Sequence, residues 1–530
     1  MVQIPLEPPK ESDIYSYRFD KNLNRTFEPI SSGTVYNAID EALNTEQLLA
    51  GGNLTLSKLD LAGLVKTVSV GDDIQEAINA LNRTGGGTLQ FKIGTYIINR
   101  TLRGYSLIKF LGAKQGTTIL SFEGLANLFF ESTQVYTAGT ISNITGGVNV
   151  TGSGTLWLTN VTTDHQFFIA NRWYAIDSIT SDTALVLKEG YVGGATFPGA
   201  SYRAAKIVKD IDFEELSFKN STGTALAITD GRNVTIYQCT FQDNNKGFVF
   251  TNVSEFVIDN TLCTSNNNNG YELNTSGFGD IEGLASTSNS NHGAVLNNVS
   301  TLPIMFSAGN ANTGDGFNVT NATDLFLTVE TSSNSSQGIE LVSGNTRVTF
   351  DKCLCSSNTS DGIKLTASSD DCRISNCVII SNGGFGINIV DSTSDRTLIS
   401  PNNTFSGNTS GTINEQGTNT FYNNGGAGAF SAVNSANNNI DIGEQKFTRI
   451  TGPTAAFSIT GIAGTANAKE VTLFNSTTQN MTIANESISS TFTQRIITGT
   501  GLDVSSTGVG VARLVYSAGE KSWILLGLQG

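Results

Sequence analysis

Between Gly223 and Gly411 a glycine returns every 22 to 25 residues, as Gly223, Gly247, Gly270, Gly293, Gly316, Gly338, Gly362, Gly386 and Gly411. Four residues before seven of them stands an Asx residue: Asp243, Asn266, Asn289, Asn312, Asn334, Asn358 and Asn382. After the glycine comes an apolar-x-apolar step, as in Phe248/Phe250, Tyr271/Leu273, Phe317/Val319, Ile339/Leu341 and Ile363/Leu365. Period-two alternation is the strand signal, whereas a helix would place its apolar residues three and four apart. A fixed period in the low twenties with turn residues in register marks a stacked solenoid. Each repeat is then one coil whose strands pair with the coils above and below at about 4.8 Å, so like residues pile into ladders. The corner is expected to need a left-handed backbone, which Asn and Gly adopt at least cost.

Such a stack adds core by adding coils, so 530 residues need not divide into ordinary globular cores. Charged residues make up only 15% and prolines number 8, as turn-rich β folds require. The net charge of -15 argues against nucleic acid, whose phosphates need a basic face. No run of 18 apolar residues occurs, and Met1–Asp20 carries prolines and charges, so neither membrane insertion nor classical export is expected. The six cysteines (Cys239, Cys263, Cys353, Cys355, Cys372, Cys377) fall inside the repeats without a CxxC, and are expected as free, buried core residues.

Residues 1–65 read as an N-terminal attachment segment with a short helix over 35–49. The solenoid is expected to begin over 66–136. There Asp72-Asp73 precede Ile74, Ala77, Ile78 and Leu81, an amphipathic helix with acids at its start. Laid over the first coil, it would cover an open sheet edge. Residues 137–205 alternate in short segments with turn clusters, suggesting a small inserted β-barrel. The main β-helix occupies 206–425, the Gly/Asn/Ala-rich stretch 426–445 reads as a linker, and alternating segments over 446–530 suggest a β-sandwich.

The run GDDIQEAINALNRTGGGTLQFKIGTYII (71–98) resembles the opening of the pectate-lyase-like superfamily of right-handed parallel β-helix proteins, common among bacteriophage tailspikes and polysaccharide-degrading enzymes. The proline that usually precedes the G-T-Y step is Ile93 here. The insert is similar to small β modules of phage tail proteins, and the end of the chain resembles C-terminal domains of phage tail and receptor-binding proteins. The resemblance implies an all-β, right-handed parallel β-helix in a homotrimer. It further implies attachment to a phage tail or baseplate through the N-terminus, a place in the virion tail, and binding and cleavage of a bacterial surface polysaccharide. A fold does not name its chemistry.

Candidate chemistry lies in two columns. The residue before each glycine gives Lys246, Asn269, His292, Asp315, Gln337 and Asp361; the second residue after it gives Glu272, Glu340 and Lys364. Asp315 and Asp361, two coils apart, would bring carboxylates to roughly 9–10 Å, near the upper limit for an inverting glycosidase. The candidate catalytic set is therefore Asp315, Asp361, His292, Glu340 and Glu272. Lyase chemistry would draw its base from cations such as Lys246, Lys364 or His292. Lys246, Asn269, Gln337, Lys364 and Trp173 are the candidate sugar-binding residues, although Trp157 and Trp173 equally suit the core of the insert. No metal or cofactor is expected; Asp280 with Glu282 would need more ligands to hold calcium. Against the enzymatic reading, any solvated solenoid face shows polar columns, and a non-catalytic fibre or adhesion protein with the β-helix as shaft fits the same residues.

Overall fold

Asp73 caps a helix over Ile74–Arg83, its side chain accepting the Glu76 N–H at 3.1 Å. Ile74, Ala77, Ile78 and Leu81 form its buried face, as their spacing predicts. That face lies on the strands Val65–Val68, Gly87–Phe91, Leu102–Arg103 and Ile108–Leu111, the start of the stack. The computed structural model describes residues 64–530, except 146, 192–197, 401, 418–419, 423–426, 443–446 and 464–469. The attachment segment and its helix over 35–49 lie outside them.

Thirty-one strands join in parallel pairs, coil upon coil. Each coil contributes a strand to each of three faces. The first face runs from Val65–Val68 through Val208–Glu214 to Phe421–Tyr422, and the second from Gly94–Ile98 through Ser217–Lys219 to Thr404–Ser406. The third runs from Leu102–Arg103 through Tyr271–Asn274 to Gly411–Glu415. Alternate side chains enter one core along its length, where like residues stack: Phe218 on Phe241 at 4.7 Å, Phe248 on Tyr271 at 5.2 Å. Each such ring contributes roughly 1.5–3 kcal/mol by leaving water. All six cysteines are free and buried; the Cys353 thiol donates to the Leu327 carbonyl at 3.3 Å and the Cys377 thiol to the Ser375 carbonyl at 3.2 Å.

The corner between the second and third faces is built differently from the sequence expectation. The left-handed residues are Asp243, Ser265, Ser288, Ala311, Ser333, Ser357, Ser381 and Gly407, with φ between 55° and 64°. The asparagine that follows each of them is there for hydrogen bonds. From Asn266 to Asn408, each Oδ1 accepts the backbone N–H of the preceding asparagine at 2.9–3.1 Å, and Asn244 Oδ1 accepts the Ser221 N–H at 3.0 Å. The ladder starts at Asn244, one residue later than the spacing predicts, because that corner is one residue shorter. The periodic glycines are needed for room. A Cβ on Gly247, Gly270, Gly293, Gly316, Gly338, Gly362 or Gly386 would lie 2.3–2.7 Å from the backbone carbonyl oxygen of the next coil.

Between Glu131 and Val208 the chain leaves the stack. Seven antiparallel strands, from Thr133–Tyr136 to Arg203–Lys206, form the inserted sheet, and an Ile141–Ala200 bridge links its far strand to the segment leading into Arg203–Lys206. Trp157 fills its core against Phe167 and Tyr202. Trp173 is not the sugar platform considered from sequence: fully buried, it sits where the insert meets the stack and donates its indole N–H to the Asn252 carbonyl at 2.6 Å. Beside it Arg172 and Arg232 share Glu189 and Glu255 in a four-membered ion network with contacts of 2.6–3.3 Å.

The stretch read as a linker contains strands. Ala427–Ser431 pairs in parallel with Phe447–Thr451, which pairs with Glu470–Asn475; Ala436–Asn437, Phe457–Ile459 and Met481–Ile483 repeat the pattern. Only then do antiparallel strands, including Gly510–Ser517 and Ser522–Gln529, complete two sheets of six and four strands around one core. Small residues read as turns in sequence, but a parallel coil is held by backbone pairing, which such residues permit.

Candidate functional site

The third face carries one outward ladder whose register is Val249, Glu272, Val295, Asn318, Glu340, Lys364, Asn388 and Asn414 on successive coils. Alternation sends these side chains out while Tyr271, Leu273, Ile339 and Leu341 point into the core. The pre-glycine column lies beside it. Nine of the ten candidate residues therefore meet along one strip; only Trp173 lies elsewhere.

Ion pairs span coils within this strip. Lys246 Nζ meets Glu272 Oε1 at 2.7 Å, and Lys364 Nζ meets Glu340 Oε1 at 2.8 Å. Asn269 donates to Glu272 Oε1 at 2.6 Å. Asn318 Nδ2 donates to Asp315 Oδ2 at 2.9 Å and points to Glu340 Oε2 at 3.4 Å. Asn388 donates to Asp361 Oδ2 at 2.8 Å, and Asn414 to Asn388 Oδ1 at 2.9 Å. The side chains of Lys246, Glu272, Glu340 and Lys364 keep 12–28% of their surface exposed.

The pre-glycine side chains do a different job from the one their polarity suggests. Asn269 Oδ1 accepts the His292 N–H at 3.1 Å, and His292 Nδ1 accepts the Asp315 N–H at 3.0 Å. Asp315 Oδ1 accepts the Gln337 N–H at 3.0 Å, and Asp361 Oδ1 the Phe385 N–H at 2.7 Å. Each ties its coil to the next. As an acceptor at Nδ1, neutral His292 carries its proton on Nε2, and an ion pair with Asp315 Oδ2, 3.2 Å away, forms only when the ring is charged. Gln337 is buried, and its Oε1 accepts the Ser336 hydroxyl.

This arrangement does not suit Asp315 and Asp361 as an acid and base pair. Both are at least 95% buried, and both carboxylate oxygens of each already accept a protein N–H. Burial pushes the Asp315 carboxyl up, but hydrogen bonds such as that from Asn318, with the attraction of His292 when its ring is charged, outweigh it and hold the group below its ordinary value. A general acid needs the opposite shift.

Raised carboxyls occur instead on the first face. Lys109, Asp212, Thr235, Val257 and Asp280 share one outward column, with Glu214, Tyr237, Asp259 and Glu282 in the next. Burial pushes both Asp212 and Asp280 above the usual carboxylate range, and Asp280 Oδ1 is buried with no hydrogen-bond partner. The two lie three coils apart, about 14 Å, too far to flank one glycosidic bond. Met305 continues the Glu282 column and the next residue, Phe306, is 73% exposed. Asp280 with Glu282 was visible in sequence, but the face it shares with Asp212 appears only with the coil register. Among the described residues no group of three or more His, Cys, Asp or Glu is placed to hold a metal ion.

A family model described as "Right handed beta helix region" matches residues 199–305 and 281–425. With the coil pairing above, this makes the chain a right-handed parallel β-helix protein. No curated protein matches the sequence. Among solved structures, the A-module of the Azotobacter vinelandii mannuronan C-5 epimerase AlgE6 is similar at 14% identity and TM-score 0.43, covering 66% of this chain and 94% of that one. The tailspike gp61 of Pseudomonas phage phi297 is similar at 9% identity and TM-score 0.36, covering 77% and 79%. The tailspike Gp54 of Acinetobacter baumannii bacteriophage AP22, solved with an A. baumannii capsular saccharide, is similar at 11% identity and TM-score 0.35, covering 78% and 77%. At these values the likeness does not reach beyond the coil architecture.

Proposed function

We propose that this chain is a bacteriophage tailspike-like protein, in the virion tail, that binds a bacterial surface polysaccharide along its β-helix. The observation that carries the reading is the third-face strip. From Lys246 to Asn414 the coils present amide and charged side chains, broken at the coil of His292 and Val295, at steps of about 4.8 Å, a row of donors and acceptors for a polymer of repeating hydroxyl groups. The opening motif supports it, since the Gly71–Ile98 run resembles that of β-helix tailspikes and polysaccharide-degrading enzymes. The same resemblance is the ground for proposing a homotrimer and an N-terminal attachment to the tail or baseplate. The test is retention of the purified chain on immobilised capsule and O-antigen preparations. Binding that survives the double variant Glu340→Gln, Lys364→Met, shown folded by circular dichroism, would remove the strip from the reading.

Cleavage of that polysaccharide is a second reading, favoured by Asp280. A carboxyl raised by burial, with an unpartnered oxygen and Glu282 two residues on, is shifted in the direction a general acid requires. It predicts new reducing ends from a bound polysaccharide, lost in Asp280→Asn while binding persists. Binding without any new ends would leave the chain an adhesion protein.

A further inference from the structure

We infer that the glycan taken by the third-face strip carries no carboxylate, phosphate or sulfate: its repeat is neutral or bears free amines. The inference rests on the strip being the binding surface, and it follows from which charges there are already matched. The ladder from Val249 to Asn414 and the column beside it hold two lysines, Lys246 and Lys364, and each is committed to a glutamate of the strip at 2.7 and 2.8 Å. Against these two cations stand four carboxylates, Glu272, Asp315, Glu340 and Asp361, and no arginine. The arginines of the coil repeats lie elsewhere: Arg232 is held in the network with Glu189 and Glu255, Arg347 forks onto Asp324 and Arg396 onto Asp371 at the edge of the first face, and Arg373 stands on the first face in register with Thr349 and Leu398.

An anionic group entering this strip would find no unpaired cation and would meet a surplus of negative charge in surroundings half closed to water, where screening is weak. Recognition of carboxylate or phosphate calls for a free guanidinium or ammonium, and none faces the strip among the described residues. The remaining valences suit the opposite chemistry. Glu340 Oε2 is engaged only by the long 3.4 Å contact from Asn318, and Glu272 and Asp361 add further carboxylate lone pairs, acceptors for hydroxyl, N-acyl N–H or ammonium donors. Asn318, Asn388 and Asn414 supply amides able to donate as well as accept.

The experiment is an array of purified bacterial polysaccharides whose repeats are hexose-only, N-acetylhexosamine-bearing, free-amine-bearing, uronate-bearing or phosphodiester-linked, probed with the full chain at physiological salt. Two variants are probed in parallel: Glu272→Gln with Glu340→Gln, and Lys246→Met with Lys364→Met, each with its melting curve. Binding confined to the uncharged and amine-bearing repeats, and weakened at least tenfold by the glutamine pair in a folded protein, is the expected result. Binding to a uronate or phosphodiester repeat that the methionine pair abolishes would overturn the inference while leaving the strip as the binding surface. Binding indifferent to both variants, or none to any repeat, would overturn the strip reading and the inference with it.

Discussion

Replacing Asn312 tests the corner directly, because its side chain makes bonds in both directions along the stack. Its Oδ1 accepts from the Asn289 backbone N–H at 3.0 Å and from Asn289 Nδ2 at 2.9 Å; its Nδ2 donates to the Ser286 carbonyl and to Asn334 Oδ1, each at 3.1 Å. In Asn312→Ala the Asn289 N–H and the Ser286 carbonyl lose these partners in a site only 1% exposed. At about 1–3 kcal/mol for each stranded group, the loss is roughly 2–6 kcal/mol. Asn312→Asp sharpens the test. The carboxylate keeps the acceptor atom but turns its second oxygen on two acceptors, so the group is driven to bind a proton. A folded-state pKa above the unfolded value means stability that is present at low pH and lost as pH rises through the folded pKa. The aspartate variant should therefore be damaged at pH 8 and partly restored at pH 5. Because a coil stack opens locally, hydrogen exchange of peptides spanning residues 286–316 is the suitable readout. Alanine costing under about 1 kcal/mol, or an aspartate variant indifferent to pH, would refute the ladder as an energetic device.

Gly316→Ala should cost about 1–3 kcal/mol or more, since the new methyl would lie 2.6 Å from both the Gly309 and Gly338 carbonyl oxygens, whereas Gly223→Ala, with nothing nearer than 3.7 Å, should leave the melting temperature unchanged. His165 is buried in the insert, its Nδ1 accepting the Thr162 N–H and its Nε2 bonded to the Gln134 carbonyl, and burial pushes its pKa down. A depressed folded pKa leaves stability unaffected above about pH 7 and erodes it as pH falls below the unfolded value of about 6.5, so insert peptides should lose exchange protection between pH 7 and pH 5 in wild type. Trp173→Ala should cost roughly 3–5 kcal/mol at the joint, seen as raised exchange over residues 133–206 with the coils beyond Asn312 unchanged; uniform loss along the chain would contradict the docking geometry.

The repeat was plain in the sequence because stacking forces like residues into like places: the Gly column, the Asn column and the inward Phe248, Tyr271 and Phe317 could be read directly. The helix at Ile74–Arg83 was equally plain. What each residue did at the corner was not, since a left-handed Ser333 and a crowded Gly338 are distinguished by the neighbouring coil rather than by their own identity. The same holds for the candidate site. Asp315 and Asp361 were correctly placed on one strip, but their saturation depends on the Gln337 and Phe385 amides a coil away. The strands Ala427–Ser431 and Ala436–Asn437 escaped because small residues carry little strand propensity for a local reading to find, and the parallel pairing of the later segments is set by the neighbouring coil rather than by their own alternation.

Because every asparagine rung offers the same acceptor upward and the same donor downward, one coil can take another's place. Excising the 24 residues from Asn334 to Ser357 would present Asn358 Oδ1 to the Asn312 amide in the place Asn334 had held. Length in this molecule is therefore quantised: genetic gain or loss of whole repeats would move the two ends apart or together in uniform increments, while a deletion of half a repeat would turn core residues toward water.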